Sequence, residues 1–480
     1  MQKQDAYSYI ALLILIIVGM LIGFLTHSTL DPLYDDITYI TYAHQMIEGD
    51  FSFGYSPFTI SIGLITPLAF SFKLFGISNF SAILPTIIYY IELVVLTFFI
   101  GKKLKGNSFA LISALIAATS PLATLYIYRV LPDLLLGAIV SLSFYLYIKA
   151  QERRNTKIYF VSGIVIGFGL FVRPDGLLLA FFYLISMLFS AKKQIKENKL
   201  VAMLYAFLGV LIVDSTYLLI FLLYTGNPLH PFLVFGGAVN ALSNSPFEWN
   251  IKALLNTLNP VSLNNIMGPY TYSMGVAFLF ALIGSVLSLV KRDKSAPIAL
   301  FFIAVFFYYF LGTSSLSHYT FIKIESRFLT SLLMPLSIAI AYLIFEIYEN
   351  LKRESKIYAG ISCAVLILTV LFLYSNAYST VYSYNTGNLD QEILYNEILG
   401  NIENMSKNAT PILYVSSGGA GELEANYINF TSSYRIPVIS IYINYGISGT
   451  CTYTNNSFLA AITLCNCTLN ESIIQAKEWA

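Results

Sequence analysis

Long apolar segments, many of them followed by a short basic loop, constrain the fold of this chain more than any other feature. Of its 480 residues, 57% are hydrophobic and only 11% are charged. A membrane-spanning α-helix needs about 20 predominantly apolar residues. Eleven segments meet or approach this length: 9–26, 82–100, 108–127, 132–148, 158–172, 177–190, 200–224, 273–290, 297–312, 328–347 and 357–378. We therefore expect a polytopic membrane protein, and the net charge of +1 gives no electrostatic basis for nucleic-acid binding.

Lysine and arginine in the short loops predict how these spans are oriented. Loops at 101–107, 149–157, 191–199, 291–294 and 352–356 hold most of the 27 basic residues. Because short cytoplasmic loops are enriched in Lys and Arg, we place these loops and the N-terminus in the cytoplasm and the C-terminal segment outside. We interpret the first apolar run as a retained span, with a cleaved signal peptide as the alternative.

One further apolar segment, 57–75, tests this orientation. A full crossing there would put the 101–107 loop on the same side as the residues that follow the first span. We therefore interpret 57–75 as an interfacial or re-entrant element of a first outer loop, 27–81. Pro57 and Pro67 fit an interrupted element, which has to be covered by protein or line a cavity. An ordinary spanning helix, with an inverted N-terminus, is the alternative.

The sequence after the last span predicts a second domain. Residues 1–378 would form the membrane domain and residues 379–480 a small extracytoplasmic α/β domain, with strands at ILYVSS and RIPVISIYI and a helix at GELEANYI. Six Asn-x-Ser/Thr sequons agree with an exported segment, at Asn404, Asn408, Asn429, Asn455, Asn466 and Asn470. Cys451, Cys465 and Cys467 permit a disulfide whose pairing their spacing leaves open, and three unpaired thiols are the alternative.

Asp35 and Asp36 stand out among the few charged residues. They follow the first span and open a polar, aromatic-rich run, ITYITYAHQM, that favours an amphipathic helix. Adjacent helical residues do not share a face, so one carboxylate can point into a cavity while the other holds a neighbour. Asp is also an ordinary helix cap, a role that we assign to Asp31. The pair is therefore a candidate catalytic site in which one carboxylate acts as general base.

Three turns between predicted spans each place an arginine beside an acid on the outer side. The pairs are Arg129 with Asp133, Arg173 with Asp175, and Arg327 with Glu325. A snorkelling arginine that anchors a helix end explains any single pair about as well as a functional site does. Three pairs together favour a site, because ionisable groups at membrane depth tend to mark pathways or sites. Arginine also suits phosphate, since its planar fork binds two oxygen atoms.

His44 lies in the run after the acid pair. It completes the candidate substrate-binding residues, which are Arg129, Asp133, Arg173, Glu325, Arg327 and His44. The spacing of the four histidines specifies no metal ligands. A divalent metal ion at Asp35 or Asp36 stays open, and no other cofactor is indicated.

These motifs resemble the GT-C membrane glycosyltransferases, especially the branch of the protein O-mannosyltransferases and aminoarabinose transferases. YDDITYITYAHQMIEGDF is similar to the acidic pair in the first outer loop of that family. SPFTISIGLITPLAFSFKLFGISNFSAILPTIIY resembles its Pro-rich interfacial stretch, RVLPDLLL its second outer turn, and ESRFLTSLLMP its Arg-aromatic entry into a late span. The resemblance covers most of the membrane segment, whereas 379–480 carries no matching motif. The Trp-Trp-Asp signature of oligosaccharyltransferases is absent from the sequence.

The resemblance implies an all-α polytopic domain with interfacial helices in the first outer loop. It also implies a sugar donor linked to polyprenyl or dolichyl phosphate, and transfer with inversion to a hydroxyl of a protein, lipid or glycan at the outer face. Asp35 would be the base and Asp36 a supporting residue, while Arg327 and Arg173 would bind the donor phosphate. The alternative is a transporter or flippase for a lipid-linked or anionic substrate, which predicts internal repeats that the sequence does not show.

Overall fold

The computed structural model describes residues 3–26, 35–54, 56–189, 199–242, 254–255, 275–313, 326–386, 412–416, 438–442, 459–462 and 475–476. Some sequence predictions lie outside these residues. They concern Asp31, Glu325, Cys451, Cys465, Cys467, the six sequons, the helix at 421–428 and the pairing of Arg327 with Glu325. The described part of the chain is mainly helical, and short strands follow near the C-terminus.

The helices are α1 (Lys3–Thr26), α2 (Asp35–Glu48), α3 (Ile62–Phe75), α4 (Asn79–Lys105), α5 (Asn107–Ala118), α6 (Pro121–Thr124), α7 (Pro132–Arg153), α8 (Thr156–Gly167), α9 (Gly169–Val172), α10 (Gly176–Met187), α11 (Lys199–Thr225), α12 (His230–Leu242), α13 (Gly275–Lys291), α14 (Ala296–Leu311), α15 (Leu333–Leu351) and α16 (Lys356–Thr386). A 3-10 helix, Ser326–Leu332, leads into α15.

The chain forms two compact units. The first comprises Met1–His27, Ser52–Leu64 and Pro85–Asn385, and the second Ser28–Phe51, Ile65–Leu84 and Thr386–Ala480.

Five helical segments of the described chain are long and apolar enough to cross a membrane: Asp5–Thr26, Asn79–Lys105, Asp133–Arg153, Lys199–Thr225 and Arg327–Leu351. Each coincides with one of the predicted spans. The other predicted spans fall on shorter apolar helical stretches of 10–17 residues, one of which, Lys356–Phe372, is the first part of the longer helix α16. The chain is therefore a multi-pass membrane protein, while the count of eleven spans stays a prediction.

The predicted span 108–127 is not one continuous helix. Helix α5 ends at Ala118, and Ser120 is extended, with φ −71° and ψ 132°, before Pro121 opens α6. Proline has no N–H to donate and disfavours a helical conformation in the residue that precedes it. The apolar run therefore contains a break that its hydropathy alone does not reveal.

Helix α3 accounts for most of the segment 57–75. It has 14 residues. At 1.5 Å per residue such a helix is about 21 Å long, which is shorter than a hydrocarbon core of about 30 Å. Turns at 57–60 precede it. A helix of this length agrees with the interfacial or re-entrant interpretation, and its depth in the membrane stays a prediction.

Aromatic side chains fill the interior of the first unit where α7, α10 and α14 meet. The ring of Phe144 in α7 lies 5.0 Å from that of Tyr183 in α10 and 5.2 Å from that of Phe301 in α14, measured between centroids. All three side chains are fully buried. Edge-to-face pairs at these distances attract one another beyond the gain from burial. The contacts fix the three helices against each other, and the candidate site lies at one end of them.

Glycine lets α8 and α11 approach each other closely. A Cβ atom on Gly163 would lie 1.9 Å from the carbonyl oxygen of Ala206, and one on Gly209 would lie 2.3 Å from that of Phe160. Inside a membrane, helices associate through close packing rather than through the hydrophobic effect, so small residues at the crossing matter. Any larger side chain at Gly163 would force the two helices apart.

Ion pairs bring several basic loops together at one end of the first unit. The pairs are Lys102 with Asp5 (2.8 Å), Lys103 with Glu152, Lys105 with Asp293 (3.6 Å) and Glu346 (3.3 Å), and Lys291 with Glu346. The loops at 101–107, 149–157 and 291–294 therefore share one end with the beginning of α1. The predicted orientation requires this arrangement, and the side of the membrane that this end faces stays a prediction.

A small sheet in the second unit contains β1 (Ile412–Ser416), β2 (Val438–Tyr442), β3 (Leu459–Ile462) and β4 (Gln475–Ala476). The strand order is β3-β1-β2-β4, with β1 parallel to both of its neighbours and β4 antiparallel to β2. The predicted strands ILYVSS and RIPVISIYI correspond to β1 and β2. Parallel neighbours need crossover connections, but the segments that join these strands lie outside the described residues, so the α/β class of this domain stays a prediction. Helix α16 runs past the predicted domain boundary at 378 and ends at Thr386.

Candidate active site

Helix α7 begins with a buried aspartate. Leu131 is extended, and Pro132 takes the first helical position, where its missing N–H removes no intrahelical hydrogen bond. Asp133 follows in the first turn, where the helix dipole favours a negative charge. Its side chain is only 1% exposed. A carboxylate so deeply buried needs a charged partner within the protein.

The connection between α9 and α10 supplies that partner. Arg173 is extended, with φ −161° and ψ 148°, as expected for a residue that precedes proline. Asp175 comes directly before α10. A Cβ atom on Gly176 would lie 2.0 Å from the carbonyl carbon of Gly169, so the turn is tight. The sequence RPDG therefore holds Arg173 and Asp175 close together between two helix ends.

Two carboxylates bind Arg173. Its Nε and Nη2 atoms donate to Asp175 Oδ1 and Oδ2 at 2.6 and 2.5 Å, which makes a bidentate pair. Its Nη1 atom donates to Asp133 Oδ1 at 2.8 Å. Burial by itself lowers the pKa of Arg173, but the charges of Asp175 and Asp133 raise that pKa well above its ordinary value. Arg173 is thus a permanent cation whose hydrogen-bond donors face carboxylates.

Negative charge exceeds positive charge around Arg173. One guanidinium group faces two carboxylates, and the buried Oδ2 atom of Asp133 accepts no hydrogen bond from any residue that the structure describes. A buried acceptor of this kind costs free energy until a donor reaches it. A phosphate bound to Arg173 would lie close to both carboxylates, and their negative charges would repel it. The prediction that Arg173 binds phosphate is therefore opposed by its surroundings.

Two hydroxyl groups connect Asp175 to the 3-10 helix. The hydroxyl of Tyr309 donates to Asp175 Oδ2 at 3.1 Å, and its oxygen lies 3.2 Å from Ser331 Oγ. Ser331 Oγ donates to the carbonyl oxygen of Phe328 at 2.9 Å. We call these side chains, which are Asp133, Arg173, Asp175, Tyr309 and Ser331, the Arg173 network.

The ring of Phe328 lies near two arginines. The guanidinium carbon of Arg173 is 4.2 Å from the centroid of the Phe328 ring, and that of Arg327 is 5.8 Å away. A guanidinium within about 6 Å of an aromatic centroid is attracted to the ring. The structure therefore brings together residues of all three predicted turns: Asp133, Arg173 with Asp175, and Arg327. Arg129 is half-buried in the turn before α7.

The Arg173 network and the ion-paired basic loops lie at opposite ends of α7. This helix has 22 residues, with Asp133 in its first turn and Arg153 in its last. At 1.5 Å per residue, a helix of that length extends about 33 Å, which is close to the thickness of a hydrocarbon core. If the basic loops face the cytoplasm, as the sequence predicts, the Arg173 network lies at the outer end.

The acid pair belongs to the second unit. The predicted amphipathic helix is present as α2, and Asp35 and Asp36 form its first turn. Asp36 is fully buried, whereas Asp35 is half-buried. His44 Nε2 lies 3.9 Å from Glu48 Oε1 one turn later. Burial lowers the pKa of His44, and the charge of Glu48 opposes that shift. Convergence of the acid pair with the Arg173 network stays a prediction.

Tyr309, Ser331 and Phe328 are absent from the sequence predictions. Tyr309 lies in the apolar run FFYYFL, where an aromatic residue indicates core or membrane interface equally well. Ser331 and Phe328 follow Arg327 in SRFLTSL, and the pairing of that arginine with an aromatic residue is the one available signal. Their contacts depend on the packing of α14 against the 3-10 helix, which the sequence does not display.

No metal centre is evident in the described ranges. They contain no group of three or more His, Cys, Asp or Glu side chains arranged to hold a metal ion.

One further buried acid is Asp214 of α11, whose side chain is 9% exposed. It makes no ion pair with the Arg173 network.

Comparison with known proteins bears on both the fold and the site. Residues 67–220 match the sequence profile of the family described as dolichyl-phosphate-mannose-protein mannosyltransferase. ArnT from Cupriavidus metallidurans in the apo state is similar in structure, with a TM-score of 0.58 and 11% identity over 91% of this chain and 86% of ArnT. The same protein bound to undecaprenyl phosphate matches with a TM-score of 0.57 and 12% identity, over 90% of this chain and 92% of ArnT.

An archaeal oligosaccharyltransferase is also similar. AglB from Archaeoglobus fulgidus, in complex with an inhibitory peptide and a dolichol-phosphate, has a TM-score of 0.53 and 11% identity over 91% of this chain and 65% of AglB. This chain has the GT-C fold. The resemblance to the GT-C membrane glycosyltransferases, in the branch of the mannosyltransferases and ArnT, is therefore confirmed. No curated protein matches the sequence.

The family match covers part of the candidate site. The matched segment, 67–220, contains Asp133, Arg173 and Asp175. Asp35 and Arg327 lie outside it. The Arg173 network therefore joins residues inside the matched segment to a 3-10 helix more than 100 positions further along the chain.

Proposed function

We propose that this GT-C protein is an integral-membrane glycosyltransferase. It moves a sugar from a polyprenyl or dolichyl phosphate donor to a hydroxyl of a protein, lipid or glycan at the outer face of the membrane. The Arg173 network carries the proposal, because it is a buried charged cluster at one end of a membrane bundle and its core lies within the family-matched segment 67–220. ArnT binds undecaprenyl phosphate and AglB a dolichol-phosphate, which supports this class of donor.

Asp35 is the proposed base. The acceptor oxygen attacks the anomeric carbon of the donor as the bond from that carbon to the phosphate oxygen breaks. The hydroxyl proton passes to the carboxylate of Asp35, and the lipid phosphate leaves with the bonding electrons. Asp35 suits this role because it is half-buried and can meet a substrate, whereas Asp36 is fully buried and supports the start of α2. General bases of this kind contribute about 10²–10⁴-fold to rates.

Arg327 is the arginine that we assign to the donor phosphate. Negative charge builds up on the phosphate as the glycosidic bond breaks, and a cation already in place stabilises it. Arg173 is less suitable, because Asp133 and Asp175 already bind its three donor-bearing nitrogens. The buried Oδ2 atom of Asp133, which accepts no hydrogen bond among the described residues, is our candidate acceptor for a hydroxyl of the substrate. Arg129, Glu325 and His44 complete the proposed substrate-binding set.

Incubation of the purified protein with a panel of polyprenyl and dolichyl phosphate sugars tests this function. We expect one donor to be consumed with release of lipid phosphate, and the Asp35→Asn protein to leave the same donor intact. The alternative function predicts a different result. If every donor stays intact while the protein, in proteoliposomes, moves a labelled lipid-linked substrate between leaflets, the protein is a flippase.

A further inference from the structure

We propose that Tyr309, Ser331 and Asp175 form a positioning unit that sets the location of Arg327. This inference rests on the proposed function, because it assumes that Arg327 binds the donor phosphate. The three side chains would act through the 3-10 helix Ser326–Leu332 and touch no substrate. The unit would therefore determine how tightly the donor binds.

The first step is the contact between Arg173 and Phe328. Asp175 holds the guanidinium of Arg173 by two parallel hydrogen bonds of 2.6 and 2.5 Å, which fix the plane of the group. That guanidinium lies 4.2 Å from the centroid of Phe328. Phe328 is adjacent to Arg327 in the chain. A fixed Arg173 thus restrains the residue next to the proposed phosphate ligand.

The second step is the hydroxyl pair. Tyr309 reaches both Asp175 Oδ2, at 3.1 Å, and Ser331 Oγ, at 3.2 Å, and is itself 2% exposed. Ser331 in turn donates to the carbonyl oxygen of Phe328 at 2.9 Å. The contacts of Tyr309 therefore link the 3-10 helix to α14 and to the turn before α10, and Thr330 Oγ1, which donates to the carbonyl oxygen of Leu122 at 2.9 Å, links it to α6. Hydrogen bonds in a 3-10 helix have poor geometry, so outside contacts matter more for its position.

The third step concerns charge. Two carboxylates surround Arg173, so the unit repels an anion and gains nothing from direct contact with a phosphate. Its influence on the donor has to be geometric. Displacement of a binding group by about 1 Å is enough to cost roughly 10²-fold in rate, so a distant hydroxyl can matter for the reaction.

Tyr309→Phe tests the proposal, with Tyr308→Phe as the matched control. Tyr308 is the preceding residue of the same helix, and its hydroxyl donates to the carbonyl oxygen of Thr313 at 3.1 Å rather than to Asp175, although the charge of Asp175 also acts on it. Each variant is made in the wild-type protein and in the Arg327→Ala protein. KM for the donor, KM for the acceptor and kcat are measured for the purified proteins in detergent, together with their melting temperatures.

In the wild-type background, we expect Tyr309→Phe to raise the donor KM about tenfold and to leave the acceptor KM unchanged. In the Arg327→Ala background, the same substitution should raise the donor KM by less than about twofold. Tyr308→Phe should change none of these constants by more than about twofold. If Tyr309→Phe fails to fold, Ser331→Ala replaces it, since that variant removes the contact to Phe328.

Two results would overturn the inference, and they differ in what they say about the proposed function. If Arg327→Ala raises the donor KM but Tyr309→Phe multiplies it by the same factor in both backgrounds, the positioning unit is wrong and the role of Arg327 stands. If Arg327→Ala leaves the donor constants unchanged, the assignment of Arg327 to the phosphate fails, and the positioning unit fails with it.

Discussion

Arg173 Nη1 donates to Asp133 Oδ1 at 2.8 Å, although 40 positions separate the two residues in the chain. The contact joins the start of α7 to the turn before α10. Both side chains are buried, with 8% of Arg173 and 1% of Asp133 exposed. The two residues sit in separate turns of the sequence, each near a partner of its own, and only the fold makes them one cluster.

Removal of Arg173 should destabilise the protein. Arg173→Met leaves two buried carboxylates without their cation, and loss of one partner from a buried ion pair costs about 3–5 kcal/mol. The melting temperature of the purified protein in detergent should fall accordingly. The triple variant Arg173→Met, Asp133→Asn, Asp175→Asn should recover much of the loss, because no unpaired buried charge is left. A triple variant no more stable than the single one would contradict this account.

Asp35→Asn should abolish transfer without unfolding the protein. The amide cannot take the proton of the acceptor hydroxyl, so kcat should fall by about 10²–10⁴-fold while the melting temperature is unchanged. Asp50→Asn is the matched control, since Asp50 is an exposed acid shortly after α2. The base assignment is wrong if Asp35→Asn turns over donor at a rate near that of Asp50→Asn.

Arg327→Ala should weaken the use of the donor. A hydrogen bond to a charged group contributes about 1.5–3 kcal/mol, so the donor kcat/KM should fall about 10–100-fold while the acceptor KM stays constant. Arg353→Ala serves as the control, because Arg353 is exposed beyond the other end of α15. Equal effects of the two variants on the donor constants would remove Arg327 from the site.

Labelling of introduced cysteines should find the two ends of α4 on opposite sides of the membrane. Ser78 and Ser108 are exposed residues just before and just after this helix. In intact cells, an impermeant maleimide should label Ser78→Cys but not Ser108→Cys, and permeabilised cells should label both. The wild-type protein controls for its native cysteines. Labelling of both variants in intact cells would refute the predicted orientation.

Gly163→Ala should separate α8 from α11. The added Cβ would lie 1.9 Å from the carbonyl oxygen of Ala206, and overpacking of this kind costs about 1–3 kcal/mol. Gly360→Ala in α16 is the matched control, because a Cβ there meets nothing within 4 Å. That variant should be neutral or more stable by up to about 1 kcal/mol. Melting temperatures that fall equally would show that the crossing does not depend on glycine.

The amino-acid sequence by itself determined the membrane class, the positions of the longest spans and the helix that begins at Asp35. These features are local, since an apolar run, a helical period and a loop charge can each be counted along the chain. The breaks inside some apolar runs were harder to detect. The helix that ends at Ala118 stops because of Pro121, and hydropathy averages over such a residue.

The tertiary structure decided which charged residues meet. The resemblance implies that Arg173 is a phosphate ligand and the sequence pairs it with Asp175, but the fold adds a second carboxylate, that of Asp133, to the same guanidinium. The fold also brings Tyr309 and Ser331 to the same cluster, although the local sequence around each residue does not predict that contact. The physical reason is that local propensity fixes helices one at a time, whereas the pairing of buried charges depends on which helix ends the packing brings together.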